Sequence, residues 1–275
     1  MRYCVSLSYS GAGFCGWQVQ PGSPSVQGEL EKALSTLLQA PVEVTGAGRT
    51  DTGVNALRYV AHFDFPTELP FGAADFCYKL NAILPHSIAV LGVSPAAPDF
   101  HARFNARRRE YTYFIHRVKD PFMDSYSWQC GYPALDFDAM NLAASFLPGT
   151  RDFSCFQKTG GSAKTSVCTV FEAFWAPYTP SHLAVMPPSG ATRFFGGEHR
   201  LGMTQDPSAP PYWYFRISAD RFLRNMVRAV VGTLIEVGRG RRSPDSIPGL
   251  LASGSRSDAG ESVPGKALFL SNVLY

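Results

Sequence analysis

Seven consecutive residues, Gly48-Arg49-Thr50-Asp51-Thr52-Gly53-Val54, place one carboxylate and one arginine in a turn bracketed by glycines. Glycine reaches backbone angles closed to other residues, so this turn can hold Asp51 forward and let a ligand approach the main chain. Arg49 can supply positive charge beside it or reach a phosphate. Much later, Arg228 interrupts an apolar helical run of Met226, Val227, Val230, Val231, Leu234 and Ile235. A guanidinium deep in such a run needs a carboxylate or phosphate partner, because an unpaired buried charge is expensive. Arg221 and Arg224, written into the same segment, suit surface salt bridges. A third group, Arg107, Arg108 and Arg109, stands just before Tyr111 and Tyr113. Cations leading into a strand with same-face aromatics supply phosphate contact and base stacking together; the same pattern also serves as a core strand with a solvated edge.

The elements that must position these groups show in the periodicity. Tyr3, Val5, Leu7 and Tyr9 alternate as a strand, and a Gly-rich loop follows over 11–16. Ser25 predicts an N-cap, with Val26, Leu30, Leu34, Leu37 and Leu38 at helical spacing until Pro41. A short strand over 42–45 leads into the Asp51 turn, and Tyr59, Ala61, Phe63 and Phe65 form the next. Phe76, Leu80 and Ile83 predict a second helix closed by Pro85, with a strand over 88–93 after it. The order β-α-β-β-α-β is ferredoxin-like, a plan shared by many RNA-binding domains. The second half repeats it: a strand over 111–115, a helix over 137–147, strands over 167–175 and 212–217, a helix over 222–237 and a last strand over 268–274. A Pro/Gly-rich stretch, 187–211, reads as a surface insertion. The expected organisation is α+β, with an N-terminal half (1–104) carrying Asp51 and a C-terminal half (105–275) carrying Tyr111 and Arg228. Two such sheets predict a cleft between them, suited to a large polar ligand.

Composition narrows the chemistry. The 275 residues are 45% hydrophobic and 17% charged, with a net charge of only +3, so the overall field is weak evidence for a nucleic-acid partner. Arginine outnumbers lysine 19 to 6, which favours planar phosphate contacts. Six cysteines lack any C-x-x-C pair and read as reduced thiols of a cytoplasmic protein. There is no signal-peptide pattern and no apolar stretch of membrane-spanning length. Neither a phosphate-binding G-x-x-x-x-G-K-[ST] loop nor a dinucleotide-binding G-x-G-x-x-G follows the first strand. No H-E-x-x-H occurs, and His62 and His116 fall within strands. No metal or cofactor is therefore expected.

Taken together, the motifs resemble the TruA family of tRNA pseudouridine synthases over essentially the whole chain. The resemblance runs from Gly16-Trp17-Gln18 through the Asp51 turn and Asn81-Ala82-Ile83-Leu84-Pro85. It continues in Phe100-His101-Ala102-Arg103-Phe104, Tyr111-Thr112-Tyr113, Met226-Val227-Arg228, Val231-Gly232 and Glu236-Val237-Gly238. It implies isomerisation of uridine to pseudouridine at positions 38, 39 and 40 of the tRNA anticodon stem-loop, by a homodimer gripping one tRNA. Asp51 is then the catalytic carboxylate, Tyr111 the active-site tyrosine stacking on the target base, and Arg228 the partner of Asp51. Arg49 corresponds to a residue that helps displace the target nucleotide, and Leu268 to the apolar pocket beneath the uracil. Arg107 and Arg109 are candidate substrate contacts from the basic run. Two positions depart from the family pattern: Asn55 stands where histidine is usual, and Ser10 where aspartate is. The competing readings are a non-catalytic RNA-binding protein with tandem RRM-like halves, and a metal-dependent phosphatase or nuclease using Asp51.

Overall fold

Alternating burial along Arg2–Tyr9 makes β1, whose odd-numbered side chains face the core. In α1 (Val26–Leu38) the Ser25 hydroxyl accepts from the Gly28 N–H at 3.2 Å, and Gln39 ends the helix in the left-handed region. There follow β2 (Val44–Gly46), β3 (Asn55–Asp64), α2 (Ala73–Ile83) and β4 (Ile88–Pro95). The second half contains β5 (Arg108–His116), β6 (Trp128–Gln129), α3 (Phe137–Ala144), β7 (Gly149–Asp152), β8 (Val167–Pro177) and β9 (Tyr212–Ala219). It ends with α4 (Met226–Gly238), α5 (Ser246–Ser253) and β10 (Leu268–Leu274). This computed structural model describes residues 1–160, 165–181, 210–253 and 255–275; the expected insertion over 187–211 lies outside them except for its last two residues.

One ten-stranded, mostly antiparallel sheet runs β4-β1-β3-β10-β5-β9-β8-β7, with β2 added to β3 and β6 to β5. The expectation of two separate sheets needs correction. β10 pairs parallel with β3 at Phe269↔Asn55 and Leu270↔Ala56, and antiparallel with β5 through Leu270↔Tyr111 and its neighbours. The last strand thus serves both halves: Leu268 joins the larger core, while Leu270 and Val273 join the core built on residues 3–93.

A second difference concerns the arginine-bearing helix. The apolar run predicts a start at 222, but Asn225 sits at φ +64° and the helix begins only at Met226. Phe222 instead turns edge-on to Tyr111, 5.0 Å between ring centres. Within α4 every residue is buried except Arg228 and Glu236. β6, β7 and α5 are too short, or too poor in period, to show in the sequence.

The segment between the halves is held by a neutral imidazole. Ala102 donates its N–H to His62 Nδ1 at 3.2 Å, and the Tyr275 hydroxyl donates to the Ala102 carbonyl at 2.7 Å. Burial, then the charges of Arg2 and His101, lower the pKa of His62; burial likewise lowers that of His116. Between the folded and unfolded pKa values the unfolded chain holds more protons, so stability rises with pH there. The contribution is complete above the ordinary histidine pKa of about 6.5 and is lost as pH falls through the lowered folded values. The melting temperature is expected to drop between about pH 7 and pH 5, and His62→Asn to shallow that drop. A pH profile identical in the variant and the native protein would contradict this role for His62.

Candidate active site

Three buried aromatics, Tyr9, Trp17 and Tyr59, form a platform beneath the Asp51 turn; Trp17 and Tyr59 stack with ring centres 4.0 Å apart. The Tyr9 hydroxyl bonds Thr50 Oγ1 at 3.0 Å, and the Tyr59 hydroxyl donates to the Gly48 carbonyl. Burial raises the pKa of both phenols, so they act as neutral hydrogen-bonding groups. Trp17 donates its backbone N–H to the Thr50 carbonyl at 3.3 Å. Gly16 passes so near that a Cβ there would stand 2.2 Å from that carbonyl oxygen, which excludes any side chain. Gly53, at φ +77°, lets the Val54 N–H close back onto the Asp51 carbonyl at 3.1 Å. Asn55 accepts from the Gly11 N–H at 2.8 Å and donates to the Lys266 carbonyl at 2.7 Å. Its side chain therefore joins the first loop, the Asp51 turn and the approach to β10.

Arg228 reaches the same place from the second half. Its Nε donates to the Val263 carbonyl at 2.6 Å, and the Val263 N–H returns a bond to the Arg228 carbonyl at 3.3 Å. Its Nη1 then stands 3.7 Å from Asp51 Oδ2, an ion pair longer than a hydrogen bond. The two side chains keep 22% and 31% of their surface exposed, so the guanidinium is at the rim of the apolar run rather than deep within it. Asp51 therefore pairs with a cation while remaining open to a ligand.

Tyr111 lies between the two cores and packs against both. Burial pushes its phenol up to about 12; the Arg109 charge opposes that and the Asp51 charge adds to it. Among the described residues its hydroxyl makes no hydrogen bond, whereas that of Tyr113 donates to the Pro264 carbonyl at 3.0 Å. Leu270 lies directly opposite Tyr111, while Leu268 is buried two pairs further on, opposite Tyr113. Arg49 and Arg107 are exposed. Arg108 turns to the other face of β5 and pairs with Glu110 and Glu172.

Arg109 departs from the expectation of an RNA contact. Its Nε and Nη2 both donate to the Ala47 carbonyl, Nη2 also to Arg103, and Nη1 to Ala106 and Asp220. All of its N–H groups are engaged by backbone carbonyls from the Asp51 turn, the linker and the approach to α4. It is a strut across the seam, with no donor left for a phosphate. The aromatic platform and the Val263 anchor were also not foreseen. Gly16-Trp17-Gln18 gave a signal for Trp17, but nothing local marks Tyr9 and Tyr59 as neighbours of the turn.

Relatives of this arrangement are plain. A family model described as tRNA pseudouridine synthase matches residues 143–275. A tRNA pseudouridine synthase A of Porphyromonas gingivalis is 42% identical over 274 residues, covering 100% of this chain and 97% of that protein. That of Bacteroides fragilis is 43% identical, covering 100% and 96%, and that of Bacillus subtilis 37%, covering 100% and 99%. The chain belongs to the tRNA pseudouridine synthase A family. Within that family, this member holds its Asp51 turn against the second half through Arg109. Arg109→Met strands four carbonyls that face the side chain and is expected to lower unfolding free energy by about 3 kcal/mol in urea titrations. A loss below about 0.5 kcal/mol, the range of an ordinary surface change, would contradict the strut.

Proposed function

We propose that this chain isomerises uridine to pseudouridine in tRNA, at positions 38, 39 and 40 of the anticodon stem-loop. The observation that carries the reading is the Asp51–Arg228 pair, assembled from opposite halves of the chain beside Tyr111 and left open to a ligand. Full-length identity to synthases of this name supports it.

The reaction breaks the N1–C1′ bond, turns the uracil and joins C5 to C1′; N1 gains a proton and C5 loses one. It consumes no energy source and no redox equivalent. The target base must leave its stack for a carboxylate to reach the ribose, at a cost on the order of a few kcal/mol. Stacking on Tyr111 offsets part of this, since a base on an aromatic ring is worth about 1–3 kcal/mol. Arg49, exposed at the head of the turn, displaces the target nucleotide, and Leu268 contributes to the apolar surface beneath the uracil. Asp51 acts at the sugar, either by attacking C1′ or by removing a ribose proton, and Arg228 fixes the orientation of its carboxylate. A phenol with a pKa near 12 remains protonated at neutral pH, so Tyr111 donates a hydrogen bond or relays a proton in the late steps.

We further read residues 1–104 and 105–275 as two ferredoxin-like halves; the strand orders β4-β1-β3-β2 and β10-β5-β9-β8 and the two separate cores support this. A homodimer would add a second basic surface to a chain of net charge +3. Six free thiols fit a reducing compartment, and we place the enzyme in the cytoplasm. No helix among the described residues is long and apolar enough to cross a membrane.

Tritium release from [5-³H]uridine-labelled tRNA tests the reading. Native protein releases tritium with EDTA present, and Asp51→Asn lowers the rate by about a thousandfold or more while binding tRNA nearly as well. Binding without release by the native protein would make it an RNA-binding module, and metal-dependent chemistry in its place would make it a phosphatase or nuclease. Tyr111→Phe keeps the ring and is expected to bind the stem-loop better than Tyr111→Leu; equal affinities would remove stacking from the account.

A further inference from the structure

Next to the Asp51–Arg228 pair lies a pocket of about 270 Å³, lined by Lys158, Thr159, Asn225, Arg228, Arg256 and Ser262. Three of the six are cations and none is acidic. The wall is organised in advance: Asn225 Nδ2 and Arg256 Nη2 both donate to Ser262 Oγ, and Arg256 Nη1 donates to the carbonyls of Ala259 and Gly260. Arg228 is held by the Val263 carbonyl. Lys158 is fixed at its backbone, which donates to the Arg224 carbonyl at 3.0 Å, while its exposed ammonium has no ion-pair partner among the described residues. Asn225, which precedes α4, makes no side-chain cap to that helix. Arg228 already faces Asp51, but Lys158 and Arg256 have no ion-pair partner among the described residues, and two such cations on a concave surface attract an anion with several acceptor oxygens.

Arg228 is common to this pocket and to the carboxylate. A nucleotide whose ribose meets Asp51 carries its phosphates one sugar away, within reach of a pocket that shares Arg228 with the carboxylate. We propose that the pocket binds the phosphodiester that flanks the target nucleotide, and that Lys158 is its exposed contact. Held there, the backbone keeps the ribose against Asp51 while the N1–C1′ bond is open and the base turns. The proposal rests on the synthase reading given above.

The test uses anticodon stem-loops carrying one neutral methylphosphonate at either linkage next to the target uridine, with native protein and Lys158→Gln. For the native protein one of the two replacements is expected to raise Kd about tenfold. Lys158→Gln should weaken binding of the unmodified stem-loop by a similar factor, lower the slope of log Kd against log salt by about one, and become indifferent to that same replacement. Independent, multiplying effects of the variant and the replacement would overturn the assignment, as would indifference of the native protein to both linkages. Tritium release by native protein from the unmodified stem-loop is measured alongside. Its absence would sink the synthase reading, whereas its presence with independent effects would sink only the pocket.

Discussion

A carboxylate and a guanidinium 3.7 Å apart can attract each other without being locked together, and this looseness is what the rest of the molecule maintains between Asp51 and Arg228. In a close two-point contact the arginine would occupy both carboxylate oxygens and the acid would be a structural element. At the observed spacing the charge is oriented from one side while the other side stays open to a ligand. Neither partner can set this distance by itself, because they belong to opposite halves of the chain.

Several layers of support converge on that separation. The parallel pairing of β10 with β3 begins at Asn55, four residues beyond Asp51, and the antiparallel pairing of β10 with β5 passes Tyr111. One strand thereby places the acid-bearing turn and the aromatic ring in a common frame. Arg109 ties Ala47, just before the turn, to Asp220, just before the approach to α4. Tyr9, Trp17 and Tyr59 hold the turn from beneath, and the Val263 carbonyl holds Arg228 from behind. Asn55 contributes two bonds of its own to this frame.

What the sequence made legible was local. The period-two strands and the Ser25 cap follow from the chain's own geometry, and the glycine-bracketed Asp51 turn announced itself through residue types that serve no simple linker. The need of Arg228 for an acidic partner also followed, from the cost of leaving its charge unpaired, although its burial is less deep than the apolar run implied. What stayed hidden depends on segments distant in sequence. Fusion into one sheet rests on β10 meeting β3, and a period of two does not name a partner strand. Arg107, Arg108 and Arg109 look alike in the sequence, yet one is exposed, one pairs with glutamates on the far face and one is the strut. Only the direction of each side chain separates them. The late start of α4 depends on a single left-handed asparagine, inside a run whose apolar pattern reads as helix throughout.

The account stands or falls on whether Arg228 acts through the carboxylate it faces. Single-turnover tritium release by Arg228→Met, at tRNA concentrations saturating for the variant, measures this with binding set aside. The expected result is a rate about a hundredfold or more below that of the native protein. A saturated rate within about twofold of native would show that Asp51 works without its guanidinium, and the central claim would be wrong.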